Sequence, residues 1–156
     1  MNEVLTITYG DVTERCKMLS AYEGRDRHDS TGKNIYADIS ITPQDEPLIS
    51  DYLSRSILAV RQRLDDMIVN VTIGTGSTLG SESWELRTMQ RRWDKKGHSG
   101  LNKHVNEALA ASVMSAWLAY KEIQDRQQFY QTVYENEIKL ISDNLHTKAA
   151  PTRPTS

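Results

Sequence analysis

Apolar residues recur at spacings of three and four along the longer stretches of this 156-residue chain, and alternate with polar ones along shorter stretches. The clearest helical run is Ile49, Leu53, Ile57, Val60, Leu64 and Met67. It follows Thr42-Pro43-Gln44-Asp45, a capping hydroxyl, a proline in the first turn and a carboxylate three residues beyond the cap. Together they predict an amphipathic helix over residues 43–68, with Arg55, Arg61, Arg63, Asp65 and Asp66 on its wet side. The period returns from Leu101 through Val105, Leu109, Val113, Met114, Trp117 and Tyr120. Phe129, Tyr130, Val133, Tyr134, Ile138, Ile141 and Leu145 continue it, with a break expected near Gln124-Asp125. Ala108, Ala110, Ala111, Ala116 and Ala119 thin this segment and permit a close helix approach. A short helix over 12–21 follows Gly10-Asp11, with Val12, Cys16 and Leu19 on one face.

Alternation marks the remaining elements. Residues 3–9 (EVLTITY) read as a short strand or an extended lead-in. Residues 35–41 (IYADISI) read as a strand or an extended segment leading to a helix. Val69, Val71 and Ile73 alternate, as do Trp84 and Leu86, around a Gly/Ser/Thr-rich stretch. This predicts a β-hairpin over about 69–89 with a long flexible tip. A two-stranded ribbon is not stable alone, so the hairpin needs the helices or another subunit. Residues 23–34 and 90–100 are polar, glycine-broken and read as loops. The expected fold is therefore mainly α: a small bundle of three long helices and a short one, with a hairpin. Residues 1–146 form a single domain in this reading, and residues 147–156 an extended C-terminal arm in which Pro151 and Pro154 oppose helix.

Composition adjusts this picture in two ways. Seven Tyr and three Trp stand against one Phe. Their polar tips suit half-buried surfaces, which makes Trp84, Trp117, Tyr120, Tyr130 and Tyr134 candidates for a subunit interface. The net charge of −2 gives no global basic field. Residues 87–103 are the exception, holding six cations (Arg87, Arg91, Arg92, Lys95, Lys96, Lys103) against one anion, Asp94, with Trp93 among them. That mixture suits a nucleic-acid backbone, an acidic neighbouring subunit or simply a solvated loop. In the C-terminal arm Arg153 is the candidate anchor on a partner.

Catalytic and cofactor chemistry finds little support. Ser30-Thr31-Gly32-Lys33 lacks the order and the following helix of a phosphate loop. The histidines, His28, His98, His104 and His146, form no metal-binding spacing. Asp65-Asp66 and Glu135/Glu137 diverge on their helices, and no nucleophile elbow is present. The single cysteine, Cys16, reads as a small core thiol, and one cysteine cannot pair within the chain. No metal, cofactor or catalytic residue is expected. The opening MNEVLTITYG lacks the pattern of a secretory signal, and no apolar run reaches membrane-spanning length, so no membrane partner is expected.

The stretch "ITPQDEPLISDYLSRSILAVRQRLDDMI" resembles the long helix of small head–tail connector (adaptor) or neck proteins of tailed bacteriophages and prophages. "ALAASVMSAWLAYKEIQDRQQFYQTVYENEIKLISDNLHTKAAPTRP" resembles the C-terminal half of small prophage-encoded virion proteins. There, a Trp-Leu helix precedes a Tyr-rich helix that ends in a Pro-x-Arg arm. The resemblance covers about residues 40–154 and is one of pattern and element order. It implies a non-enzymatic virion structural protein that forms a homo-oligomeric ring, meets portal, neck or tail proteins, has packaged DNA as a further candidate partner, and resides in the host cytoplasm during assembly. The alternative is a small helical nucleic-acid-binding protein that uses residues 87–103.

Overall fold

The computed structural model describes residues 2–25, 32, 39–73, 80–87 and 100–146. Strand β1 (Asn2–Thr8) runs straight into helix α1 (Tyr9–Gly24). Helix α2 (Glu46–Arg63) follows, then β2 (Ile68–Ile73), β3 (Ser81–Arg87), α3 (Leu101–Tyr120) and α4 (Gln124–His146). Single 3-10 turns precede and follow α2, at Pro43–Asp45 and Asp65–Met67. The fold is mainly helical with one small antiparallel sheet, as the periodicity predicts.

Helix α3 is central, packing against α4, α2, α1 and β1. From Ala108 to Leu118 nearly every residue is buried, so this helix is apolar almost all round. Its alanines let neighbours approach closely: the Cys16 thiol lies 3.7 Å from the Ala110 carbonyl. The turn from α3 to α4 is Lys121–Ile123, slightly before the expected break, and it places Glu122 at φ 62°. The two helices are antiparallel, with Ser115 opposite Gln131 and His104 opposite Glu137.

All six residues of the predicted α2 stripe are buried. The expected start is also present, with a different division of labour: the Asp45 carboxylate accepts from both the Thr42 amide (2.8 Å) and its hydroxyl (2.9 Å). Helix α1 is longer than the sequence suggests. Thr8 ends the strand, Tyr9 begins the helix, and Asp11 lies in the first turn, where its charge suits the helix dipole.

The predicted hairpin is part of a larger sheet. The strand order is β1-β3-β2, so β3 is central and pairs antiparallel on both sides. β1 meets β3 from Asn2↔Arg87 to Thr8↔Ser81 without interruption. β2 carries a register irregularity between Ile68 and Asn70. Leu5 and Ile7 of β1 and Trp84 and Leu86 of β3 face the core. The third strand thus supplies the partner a bare hairpin lacks. The expected tip spans residues 74–83; its last three residues belong to β3 instead, and 74–79 lie outside the described residues, as do 26–31, 33–38, 88–99 and the arm 147–156. Of the 35–41 stretch, residues 39–41 are described, with Ile39 and Ile41 buried.

Candidate functional site

Two of the concave surfaces that border α1 separate it from α2 and from α4. The larger, about 590 Å³, lies between α1 and α2 and is closed at one end by Tyr9 and Gly80. Lys17 spans it, 3.3 Å from Glu14 and 3.2 Å from Glu46, so one ammonium ties the two helices. The hydrogen bonds that Lys17 donates to Glu46 and, second, to Glu14 raise its pKa. Gly80 is shaped by this junction. Its φ is +69°, its carbonyl accepts the Tyr9 amide, and an added Cβ would sit 2.5 Å from the Tyr9 ring.

Behind that ring lies a buried polar knot. Glu82 accepts from the Tyr9 hydroxyl at 2.8 Å and from the Trp84 indole N–H at 2.7 Å, and Arg61 Nε stands 4.0 Å away. Burial first, and the bond to Glu82 second, push the Tyr9 hydroxyl up to about 12. Each carboxylate oxygen of Glu82 is engaged by a donor that belongs to the packing. The knot fastens strand β3 to the start of α1.

The second groove, about 350 Å³, runs between α1 and α4. Ala111 lines its base, and Leu19 and Tyr22 face Phe129 and Val133 across it. The Arg15–Glu107 pair (3.1 Å) and the Arg126–Glu23 pair (2.7 Å) also line it. Glu23 is buried and receives both Arg126 Nε and Nη2, together with the Tyr130 hydroxyl at 3.0 Å. Burial, then the neighbouring Glu23 charge, raises the Tyr130 pKa, and the hydrogen bonds to Glu23 raise that of Arg126. The Arg126 guanidinium also lies 4.0 Å above the Phe129 ring centre, a cation–π contact.

The structure corrects most of the interface candidates. Trp84 and Trp117 are fully buried within this chain, and Tyr130 and Tyr134 are nearly so. Polar tips favour a surface position, but the fold satisfies three of these tips internally. Trp84 donates to Glu82, Trp117 donates to the Ile39 carbonyl at 2.7 Å, and Tyr130 donates to Glu23. Only Tyr120 of the five is exposed (59%), packed beside Trp117 with Lys121 over both rings. Arg87 and Lys103, the two ends of the basic stretch, are exposed. Arg91, Arg92, Trp93, Lys95 and Lys96 lie outside the described residues, as do Pro151, Arg153 and Pro154.

Among the described residues, no group of three His, Cys, Asp or Glu is arranged to hold a metal ion. His104 meets Glu137 at 2.7 Å, a partner 33 residues away that sequence proximity does not reveal. Glu135 turns instead to Arg63, at 3.1 Å. Cys16 is fully buried, and burial pushes its thiol up to about 12. No described helix is long and apolar enough to cross a membrane. The Glu23–Arg126–Tyr130 and Glu82–Tyr9–Trp84 clusters were missed by sequence reasoning, because one member of each is remote: Glu23 lies 103 residues from Arg126, and Tyr9 lies 73 residues from Glu82. No family model, no curated protein and no solved structure matches this chain.

Proposed function

We propose that the chain is a non-enzymatic structural subunit, of the head–tail connector or neck type found in tailed phages and prophages, that assembles into a homo-oligomeric ring. The observation that carries this reading is where apolar and polar groups have gone. The buried acids Glu23 and Glu82 are spent on internal hydrogen bonds. Meanwhile Met18, Tyr22, Ile73, Tyr120, Phe129 and Leu140 stand exposed on the exterior. Scattered apolar residues are ordinary on a surface; here two of them, Tyr22 and Phe129, sit on one groove. Such an exterior suits a subunit that meets others on several sides. In this reading the hairpin tip and the C-terminal arm make contacts with portal, neck or tail proteins, and the assembled protein resides in the virion.

Light scattering behind size-exclusion chromatography, over a wide concentration range and at two salt levels, tests the proposal. Closed rings visible by electron microscopy are the expected result. A monomer under every condition, alone and with candidate portal or tail proteins, sinks it.

A nucleic-acid-binding reading is favoured by one observation: Arg87 and Lys103 are both exposed at the ends of the basic stretch. It predicts an affinity for DNA or RNA that falls steeply with salt and collapses when Arg91, Arg92, Lys95 and Lys96 are neutralised.

A further inference from the structure

Strand β1 is an edge strand, and no described strand covers its outer side. The Tyr9 amide bonds to the Gly80 carbonyl, so the aligned positions Ile7, Leu5 and Glu3 direct their main-chain groups toward β3. The main-chain N–H and C=O groups of Asn2, Val4, Thr6 and Thr8 therefore point away from the sheet. Proteins usually blunt such an edge with lysine, proline, a bulge or a short strand. β1 has seven residues in unbroken register, and its only charged residue is Glu3. The opposite edge differs, since β2 carries the irregularity between Ile68 and Asn70.

We propose that the outer edge of β1 pairs antiparallel with β1 of a second copy of this chain, joining two three-stranded sheets into one of six strands. The sequence of β1 is self-complementary for this contact. A two-fold axis at Leu5 sets Val4 opposite Thr6 of the second copy and Asn2 opposite Thr8, and the reverse pairs follow by symmetry. These are the residues whose main-chain groups point outward, so four residue pairs each exchange two hydrogen bonds. In this register Leu5 aligns with Leu5 and position 3 with position 7, so no two charged positions align. The pleat also agrees. Core-facing Leu5 and Ile7 stay on the core side, and Val4, 70% exposed in one copy, stays on the outer side beside Thr6. A register shifted by one residue fails on both counts. The two-fold contact uses both β1 edges, so it closes at two copies instead of propagating.

This pairing is independent of the virion reading, because it requires only two copies of the chain. The test uses the full-length protein and two double variants, Val4→Lys/Thr6→Lys and Val4→Glu/Thr6→Glu, checked for folding by circular dichroism. Each places like charges opposite one another across the axis, at exposed positions. The expected wild-type mass by light scattering is twice the 17.8 kDa chain, or an even multiple of it. Each variant alone should show half the wild-type mass. An equimolar mixture of the Lys and Glu variants should restore it, with the mixed pair resolved by native mass spectrometry. That rescue also shows that both variants are folded. A monomeric wild-type protein overturns the proposal. So does an oligomer whose mass both variants leave unchanged, a result that leaves ring assembly standing. A dimer that never grows supports the β1 contact and counts against the ring.

Discussion

Arg126 at the start of α4 grips Glu23 near the end of α1 with two hydrogen bonds, 2.8 Å from Nε and 2.7 Å from Nη2. The carboxylate is buried, while the guanidinium keeps 30% of its side-chain surface. Removing the cation takes two hydrogen bonds and the opposite charge away from a buried carboxylate. Arg126→Leu should therefore lose about 2 to 3 kcal/mol of stability, less than a fully buried pair because the arginine is partly wet. The double variant Glu23→Leu/Arg126→Leu should recover much of that loss, since no uncompensated charge is left behind. Urea unfolding of the three proteins measures both.

Alkaline pH should destabilise the fold through Cys16 and Tyr9. Burial raises the Cys16 thiol from 9.0 to about 12, and burial together with Glu82 raises the Tyr9 hydroxyl from 10.0 to about 12. Above the unfolded values the unfolded chain releases protons that the folded chain retains. The stabilisation is therefore complete below pH 9 and is lost as pH climbs toward about 12. Cys16→Ala should flatten the fall in urea midpoint over the lower part of that window, and Tyr9→Phe over the upper part. At neutral pH, Cys16 should resist thiol reagents until the protein unfolds.

Two turns should respond in opposite directions. Glu122 adopts φ 62°, where a side chain is disfavoured, and Glu122→Gly should raise stability by roughly 0.5 to 1 kcal/mol. Gly80 needs its φ of +69° and has the Tyr9 ring against it, with that ring anchored on Glu82. Gly80→Ala should cost roughly 1 to 3 kcal/mol. Thermal melts of the two variants should move apart from the wild type.

Trp84 and Trp117 should be shielded from solvent in the isolated chain. In a Trp93→Phe background their emission should be blue-shifted and resist acrylamide quenching at low concentration. Strong quenching would contradict their burial. Trp117→Phe removes the donor to the Ile39 carbonyl and should cost about 2 to 3 kcal/mol by urea unfolding.

The sequence by itself determined the local architecture. The spacing of Ile49, Leu53, Ile57 and Val60 marked α2 and its buried face, because a helix repeats its face every 3.6 residues, while Leu64 and Met67 carry the buried stripe past the end of α2 into the 3-10 turn. The Thr42–Asp45 signal located its start, because the capping partners are three residues apart. The alanines and apolar residues of 101–120 marked a closely packed helix, though not that it lies at the centre. Alternation located both strands of the hairpin but left residues 3–9 undecided between strand and lead-in. Only the tertiary structure set β1 beside β3, because Leu5 and Trp84 are far apart in the chain and a strand pattern does not name its partner. The tryptophans went inward for the same kind of reason. An indole N–H is costly to bury without an acceptor: Trp84 has one two residues away in Glu82, which the Tyr9 hydroxyl also meets from α1, and Trp117 has the Ile39 carbonyl, which only the packing brings to it. Periodicity is a property of neighbours along the chain; burial of a polar tip depends on which distant group arrives to meet it.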